Sequence, residues 1–394
     1  MRHPHARSLV LALGLVLLHP ALPAYGASGP GGLRPPRLPA PARLLLPRIH
    51  SPRDDQGRTF RVATMTTARR AHTATTLADG RVLLVGGLDG DSYLASAEVY
   101  DPAAARFVPV GASSEPRAHH IAVLLDDGRV LVAGGERAPG DPTETAEVFD
   151  PASNTFQRVG SMRVPRIYHA AASLPDGRVL VAGGYDGART VALVDVFDPA
   201  TGAFRPAAPM VAPRSEFTAT ALADGNVLVA AGVGGAARLA TAEIYHPSLD
   251  RWQQAGSLRA RRGGHVAALL DDGGVLVAGG IVGVHAVATA ERWNPATNTW
   301  SSVAPMAETR FGSALVGLPD GRVLVAGGED DDGHTLASVE LFDPAANTWS
   351  RAPSLDTPRS SLAAALLEDG SALFTGGHAP PSSWASAEIH LPRP

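Results

Sequence analysis

The chain has 394 residues, 45% hydrophobic and 18% charged, which supplies a large apolar core and excludes a disordered chain, a collagen and a helical membrane bundle. Net charge is −4 but unevenly placed: residues 1–57 hold seven Arg and two acids, residues 58–394 hold 27 Arg and 36 acids, so the bulk is acidic and carries no footprint for nucleic acid. The absence of Cys removes disulfides, thiolate metal sites and thiol nucleophiles together.

The amino terminus reads as an export signal. Arg2 and Arg7 precede an apolar run over residues 9–18, followed by Pro20, Pro23 and the small residues Ala24 and Gly26. Ten apolar residues fall short of the ~20 needed to span a bilayer, and the pattern is that of a secretory signal over residues 1–26. Residues 27–57 form a Pro/Arg-rich linker, expected to be extended and solvated. No later segment is apolar enough for a membrane span, so the expected location is secreted, periplasmic or at the cell surface.

From residue 58 one unit repeats seven times. The second glycine of a D-G-R-V-L-V-A-G-G-like phrase falls at Gly87, Gly135, Gly184, Gly232, Gly280, Gly328 and Gly377, at intervals of 48 or 49 residues. An Arg lies 18 residues before each: Arg69, Arg117, Arg166, Arg214, Arg262, Arg310 and Arg359. An acid follows each: Glu98, Glu147, Asp195, Glu243, Glu291, Glu340 and Glu388, with 19 residues from each acid to the next Arg. A period of this length built from short strands predicts propeller blades.

Each unit reads as four strands. The first follows the Arg, and Asp-Gly then makes a tight hairpin turn because Gly accepts positive φ. The second is apolar throughout, like Val179 to Ala182, as a strand buried on both faces would be. The third carries the acid, and an Asp-Pro turn leads to the fourth. Six aromatic pairs join strands three and four: Tyr100/Phe107, Phe149/Phe156, Phe197/Phe204, Tyr245/Trp252, Trp293/Trp300 and Phe342/Trp349.

The double glycine, the spaced aromatic pair and an Arg-x-x-His opening such as Arg166 to His169 resemble the Kelch repeat, over residues 58–392. The resemblance implies an all-β fold: a seven-bladed β-propeller of four-stranded antiparallel blades. Secreted relatives resembling galactose oxidase are copper-radical oxidases whose cofactor needs a Cys cross-linked to Tyr; without Cys that chemistry is ruled out. Other Kelch propellers isomerise sialic acid.

The last unit stops after its third strand, and the missing strand is at the front. Arg58-Thr59-Phe60-Arg61-Val62 matches Asn347-Thr348-Trp349-Ser350-Arg351, so the amino-terminal strand is expected to complete blade seven. Such a closed ring reads as a monomer.

Repetition also separates scaffold from function. A single ligand site needs blades that differ, so the seven Arg and seven acids are expected to pair structurally, buried charges needing partners. His72, His120, His169 and His265 share a position with Phe217, Ser313 and Leu362, which marks a packing site. No Ser/His/Asp or paired-carboxylate spacing stands out, and no catalytic residue, metal ligand or cofactor is assigned.

Strand direction puts the Asp-Gly and Asp-Pro turns on one face and the loops after Gly-Gly on the other. Only the second face varies, and variable loops on a rigid scaffold are where recognition sits. Its candidate ligand-binding residues are Tyr93, Tyr185, Trp384, His378, Asp89 and Asp91. The acidic loop of Glu329, Asp330, Asp331 and Asp332 reads as solvated rather than Ca²⁺-binding, since its carboxylates are consecutive and not alternating. The leading expectation is a noncatalytic exported propeller binding a protein or glycan. The alternatives are a carbohydrate-active enzyme, such as a sugar isomerase, on the same face, and a structural surface or matrix module.

Overall fold

The structure, a computed structural model, describes residues 57–392. The segment expected to be an export signal, and all but the last residue of the expected linker, lie outside the described residues. Seven four-stranded antiparallel sheets make up seven blades, and no α-helix occurs among the described residues. Blade three shows the pattern: Ala170–Ser173, Val179–Ala182, Val194–Asp198 and Ala203–Ala207, paired in that order.

The sequence explains the blade. Every second strand lies between two others and between two sheets, and its side chains are fully buried. Each buried Val or Leu there contributes about 1.5–3 kcal/mol by leaving water. First strands, nearest the axis, are rich in Ala and Thr, because seven of them converge there and large side chains would not fit. Seven apolar clusters fill the spaces between successive blades, the last joining Val82, Leu84 and Tyr100 of blade one to Leu373 and Ile389 of blade seven. Five of the aromatic pairs sit with ring centroids 4.8–5.1 Å apart, and Trp293 opposes Trp300 in register.

Arg58–Arg61 pairs antiparallel with Ala387–Leu391 and is the outer strand of blade seven, as expected. Its register corrects the sequence alignment by one residue. Arg61 opposes Glu388 as Arg351 opposes Glu340, so Thr59, not Phe60, occupies the position of Trp349. A one-residue shift moves every side chain to the other face, and Phe60 is accordingly exposed. The aromatic pair is replaced by a polar one: Thr59 Oγ1 lies 3.0 Å from His390 Nδ1 and donates to the Pro353 carbonyl at 2.9 Å. Gly57 takes the left-handed φ (76°) that Asn347 takes before the outer strand of blade six.

The seven Arg form one buried layer, all 0% exposed. Arg262 is representative. Its Nη1 donates to the carbonyls of Gly279 and Thr289, and its Nη2 to Thr289 Oγ1 and, at 3.0 Å, to Glu291. Glu291 in turn accepts the backbone N–H groups of Arg259 and Ala260. The Arg262 backbone meanwhile bonds the preceding blade, its N–H to Leu239 and its carbonyl to the Gly232 N–H. One residue thus ties two blades. In blade three the acid is Asp195, a methylene shorter, and the Arg163 guanidinium reaches in to it at 2.6 Å where other blades use backbone N–H groups.

Candidate binding site

Two residues past each layer Arg, the chain turns into the first strand at the double-glycine end of the ring. At Ala71, His119, Tyr168, Glu216, Gly264, Gly312 and Ser361 the backbone takes a left-handed φ of 53–68°. N–H groups there bond the equivalent carbonyl of the neighbouring blade: Ala71 to Ser361, His119 to Ala71, Glu216 to Tyr168, Gly264 to Glu216 and Ser361 to Gly312. These residues form a collar around the mouth of the central channel.

The collar is lopsided. Blades five, six, seven and one place Gly, Gly, Ser and Ala in it, whereas blades two, three and four place His119, Tyr168 and Glu216. The His119 and Tyr168 rings lie with centroids 4.6 Å apart and planes tilted by 48°. Burial, helped by the Arg70 charge, lowers the His119 pKa to about 3, and its Nδ1 has no hydrogen-bond partner. Tyr168 is held in its protonated form by burial and by the carboxylates of Glu216 and Glu136. Burial also raises the Glu216 pKa against the pull of Arg238, and its buried Oε2 has no hydrogen-bond partner.

Beside the collar, a cleft of about 270 Å³ opens between the hairpins of blades seven and one, lined by Arg70, Gly90, Asp91, His378 and residues 380–383. Arg70 donates to the Gly90 carbonyl at 3.2 Å, and the Gly90 N–H donates to Ser383 Oγ. Behind His378, Ser360 Oγ donates to Glu329 Oε1 at 2.8 Å and lies 3.1 Å from His378 Nδ1. The nearly buried Ser360 hydroxyl is thereby engaged on both sides.

The residues singled out from sequence do not form one cluster. Asp91 and His378 share the cleft, while Asp89, next to it, is exposed. Tyr93 turns toward blade two, where its hydroxyl donates to Glu136 Oε2 at 2.6 Å. Tyr185 bonds the Gly187 carbonyl of its own hairpin, and Trp384 Nε1 bonds the Pro358 carbonyl. Arg70, His119, Tyr168 and Glu216 were not foreseen. Their signal was present: the two positions after each layer Arg change in almost every blade.

The recurrent histidines sit between blades. His72, His120 and His265 each bond a threonine hydroxyl of the preceding blade at 2.8–3.0 Å, while His169, facing Ile121 in place of Thr, has no such partner. The acidic loop also differs from expectation. An alternating set does exist, because Asp330, Asp332 and His334 bring ligand atoms within 4.8 Å of one another. Asp330 is already used to cap the turn, accepting the N–H groups of Asp332 and His334.

Among solved structures the chain is similar to a fungal alcohol oxidase of the AA5 family in complex with copper, with a TM-score of 0.67, 18% identity, and coverage of 86% of this chain and 76% of that one. That likeness is one of fold. No curated protein matches. The Kelch motif matches residues 69–111, 117–163, 166–211, 262–307 and 310–355, which are blades one, two, three, five and six. Blade four departs by having Ala231 in place of the first glycine, and blade seven takes its outer strand from the other end of the chain. With more than half its length matched in phase with the blades, the chain belongs to the Kelch family.

Proposed function

We propose that the protein is an exported, noncatalytic Kelch propeller that binds a protein or glycan through its double-glycine face. The observation that carries this reading is the lopsided collar. Seven copies of one backbone turn carry six residue types, with the bulky polar ones gathered in three consecutive blades, so a ligand meets an asymmetric surface there. The adjoining cleft adds a cation, Arg70, and a carboxylate, Asp91, as orienting groups.

The copper of the fungal oxidase does not carry over. A copper-radical centre needs a thioether-linked Tyr, for which this chain has no Cys. Among the described residues the one three-residue group of potential ligands is the half-buried Asp330 with the exposed Asp332 and His334. One observation favours a sugar-modifying enzyme as second reading: Tyr168, His119 and Glu216 place buried acid–base groups side by side, as functional sites often do.

The test is a glycan-array and pull-down screen with the mature chain, followed by Arg70→Ala and Asp91→Ala. Each substitution is expected to weaken the captured ligand roughly tenfold, about 1.4 kcal/mol, with melting temperature little changed. Binding that survives both, yet is lost when Asp176 and Arg178 on the turn face are replaced, overturns the reading.

A further inference from the structure

We propose that the arc of His119, Tyr168 and Glu216 is a site for an alkylammonium group, which enters the channel mouth and pairs with the Glu216 carboxylate. The inference deepens the binding reading and rests on the double-glycine face being the binding face. The shared chemistry has two sources, a lysine side chain of a partner protein or a free amine.

The first argument is strain. The collar demands left-handed φ, which Gly adopts freely, as Gly264 and Gly312 do. A bulky L-residue there costs roughly 1–2 kcal/mol. Three consecutive blades nevertheless carry His, Tyr and Glu, and strain of this kind gathers at ligand sites.

The second argument is an unmet demand. Glu216 Oε2 is buried without a donor. The one charge acting on this carboxyl is Arg238, whose Nη1 donates to the Gly283 carbonyl of the next blade and whose buried Nε makes no hydrogen bond, to Glu216 or to any other group. A buried carboxylate left uncompensated is costly, and a hydroxyl would supply a hydrogen bond without supplying charge. An ammonium supplies both, with three donors. Blade five has Gly263 beside the carboxyl, where a Cβ would stand 3.3 Å from Oε2 and 3.0 Å from Val233 Cγ2, so the carboxyl abuts bare backbone and no side chain of that blade competes for it.

The third argument is the surroundings. The His119 and Tyr168 rings, tilted 48° to one another, are both held uncharged, and the half-buried Tyr168 ring is the aromatic surface available to a cation. The hairpin loops after the seven Gly pairs hold nine carboxylates and three Arg, a field that draws cations to the mouth. The opposing charge nearby is Arg70 on blade one, which acts on both His119 and Tyr168 and has Asp91 in the same cleft.

Isothermal titration of the mature protein tests this with two probes, 1,5-diaminopentane and the blocked peptide acetyl-Gly-Lys-Gly-amide. At least one is expected to bind, and which one does so identifies the source. Acetylating the lysine, or Glu216→Gln, should weaken binding tenfold or more. Asp330→Asn with Asp332→Asn should change it less than threefold at about 0.15 M ionic strength. The proposal is overturned if neither probe binds, if acetylation has no effect, or if a folded Glu216→Gln protein binds like wild type. Should that variant not fold, Gly263→Ala replaces it: its methyl crowds the carboxyl, and unchanged affinity is then the overturning result. If the amines fail while a screened ligand still depends on Arg70 and Asp91, this inference falls and the binding face stands.

Discussion

The arginine layer and the channel collar lie two residues apart in every repeat, and they are opposites. The layer keeps a fully buried Arg in all seven blades, bonded to backbone and acid at once, with Asp195 and Arg163 the one variation on its acid. The collar differs from blade to blade, is built on left-handed backbone, and leaves polar atoms of His119 and Glu216 unpaired. Uniformity, with each guanidinium bridging backbone carbonyls and an acid, is what a scaffold requires of each copy. Divergence of side chains on one repeated backbone turn is what one asymmetric ligand requires.

The strongest way to break this comparison is to open the ring that both depend on. Deleting residues 27–64 removes the outer strand of blade seven and the paired backbone from Arg58 to Arg61, and is expected to lower the melting temperature by more than any single substitution. Deleting residues 27–52 should leave it unchanged. Equal melting of the two truncations would place closure elsewhere.

Next in size is the layer itself. Arg262→Met leaves Glu291 buried without its cation, and breaking such a pair costs about 3–5 kcal/mol. Urea unfolding should show that loss, whereas Glu216→Gln in the collar should show little. If the two variants unfold alike, the distinction between layer and collar is false.

A smaller effect sharpens the boundary between them, at the histidines one residue further on. Burial lowers the pKa of His169 and His265 to about 3, against about 6.5 in an unfolded chain. Between these values the unfolded state binds more protons, so stability is complete above pH 6.5 and falls as the pH drops toward 3. Each such histidine contributes a slope of about 1.4 kcal/mol per pH unit. His169→Phe, the residue blade four has at Phe217, should make the urea midpoint less sensitive to acid by about one proton. An unchanged slope would show that His169 is not held neutral by burial.

Much of the fold was legible because it is written seven times. The period, the apolar second strand, the Asp-Gly turn and the aromatic pair gave strand order, blade count and the exchange of the terminal strand. The register of that strand is not legible by residue similarity: Phe60 looks like Trp349, but the pairing aligns Thr59 with Trp349 and Gly57 with Asn347, two residue types that share only the left-handed φ. The site was less legible. Tyr185 and Trp384 stood out as aromatics in variable loops, yet each bonds within its own surroundings. His119, Tyr168 and Glu216 were overlooked because comparison of the repeats stopped at the neighbouring His72 position.

By itself the sequence determined that this chain closes into a ring of seven Kelch blades, because periodic patterning specifies local strands and identical units have one way to stack. Only the tertiary structure decided which side chains meet at the mouth. His119, Tyr168 and Glu216 are each 48 or 49 residues from the next, and nothing local to any of them indicates the others. Ring closure brings them into one arc, with Arg70 at its side, and curvature around the axis is a property of the packed blades rather than of any segment.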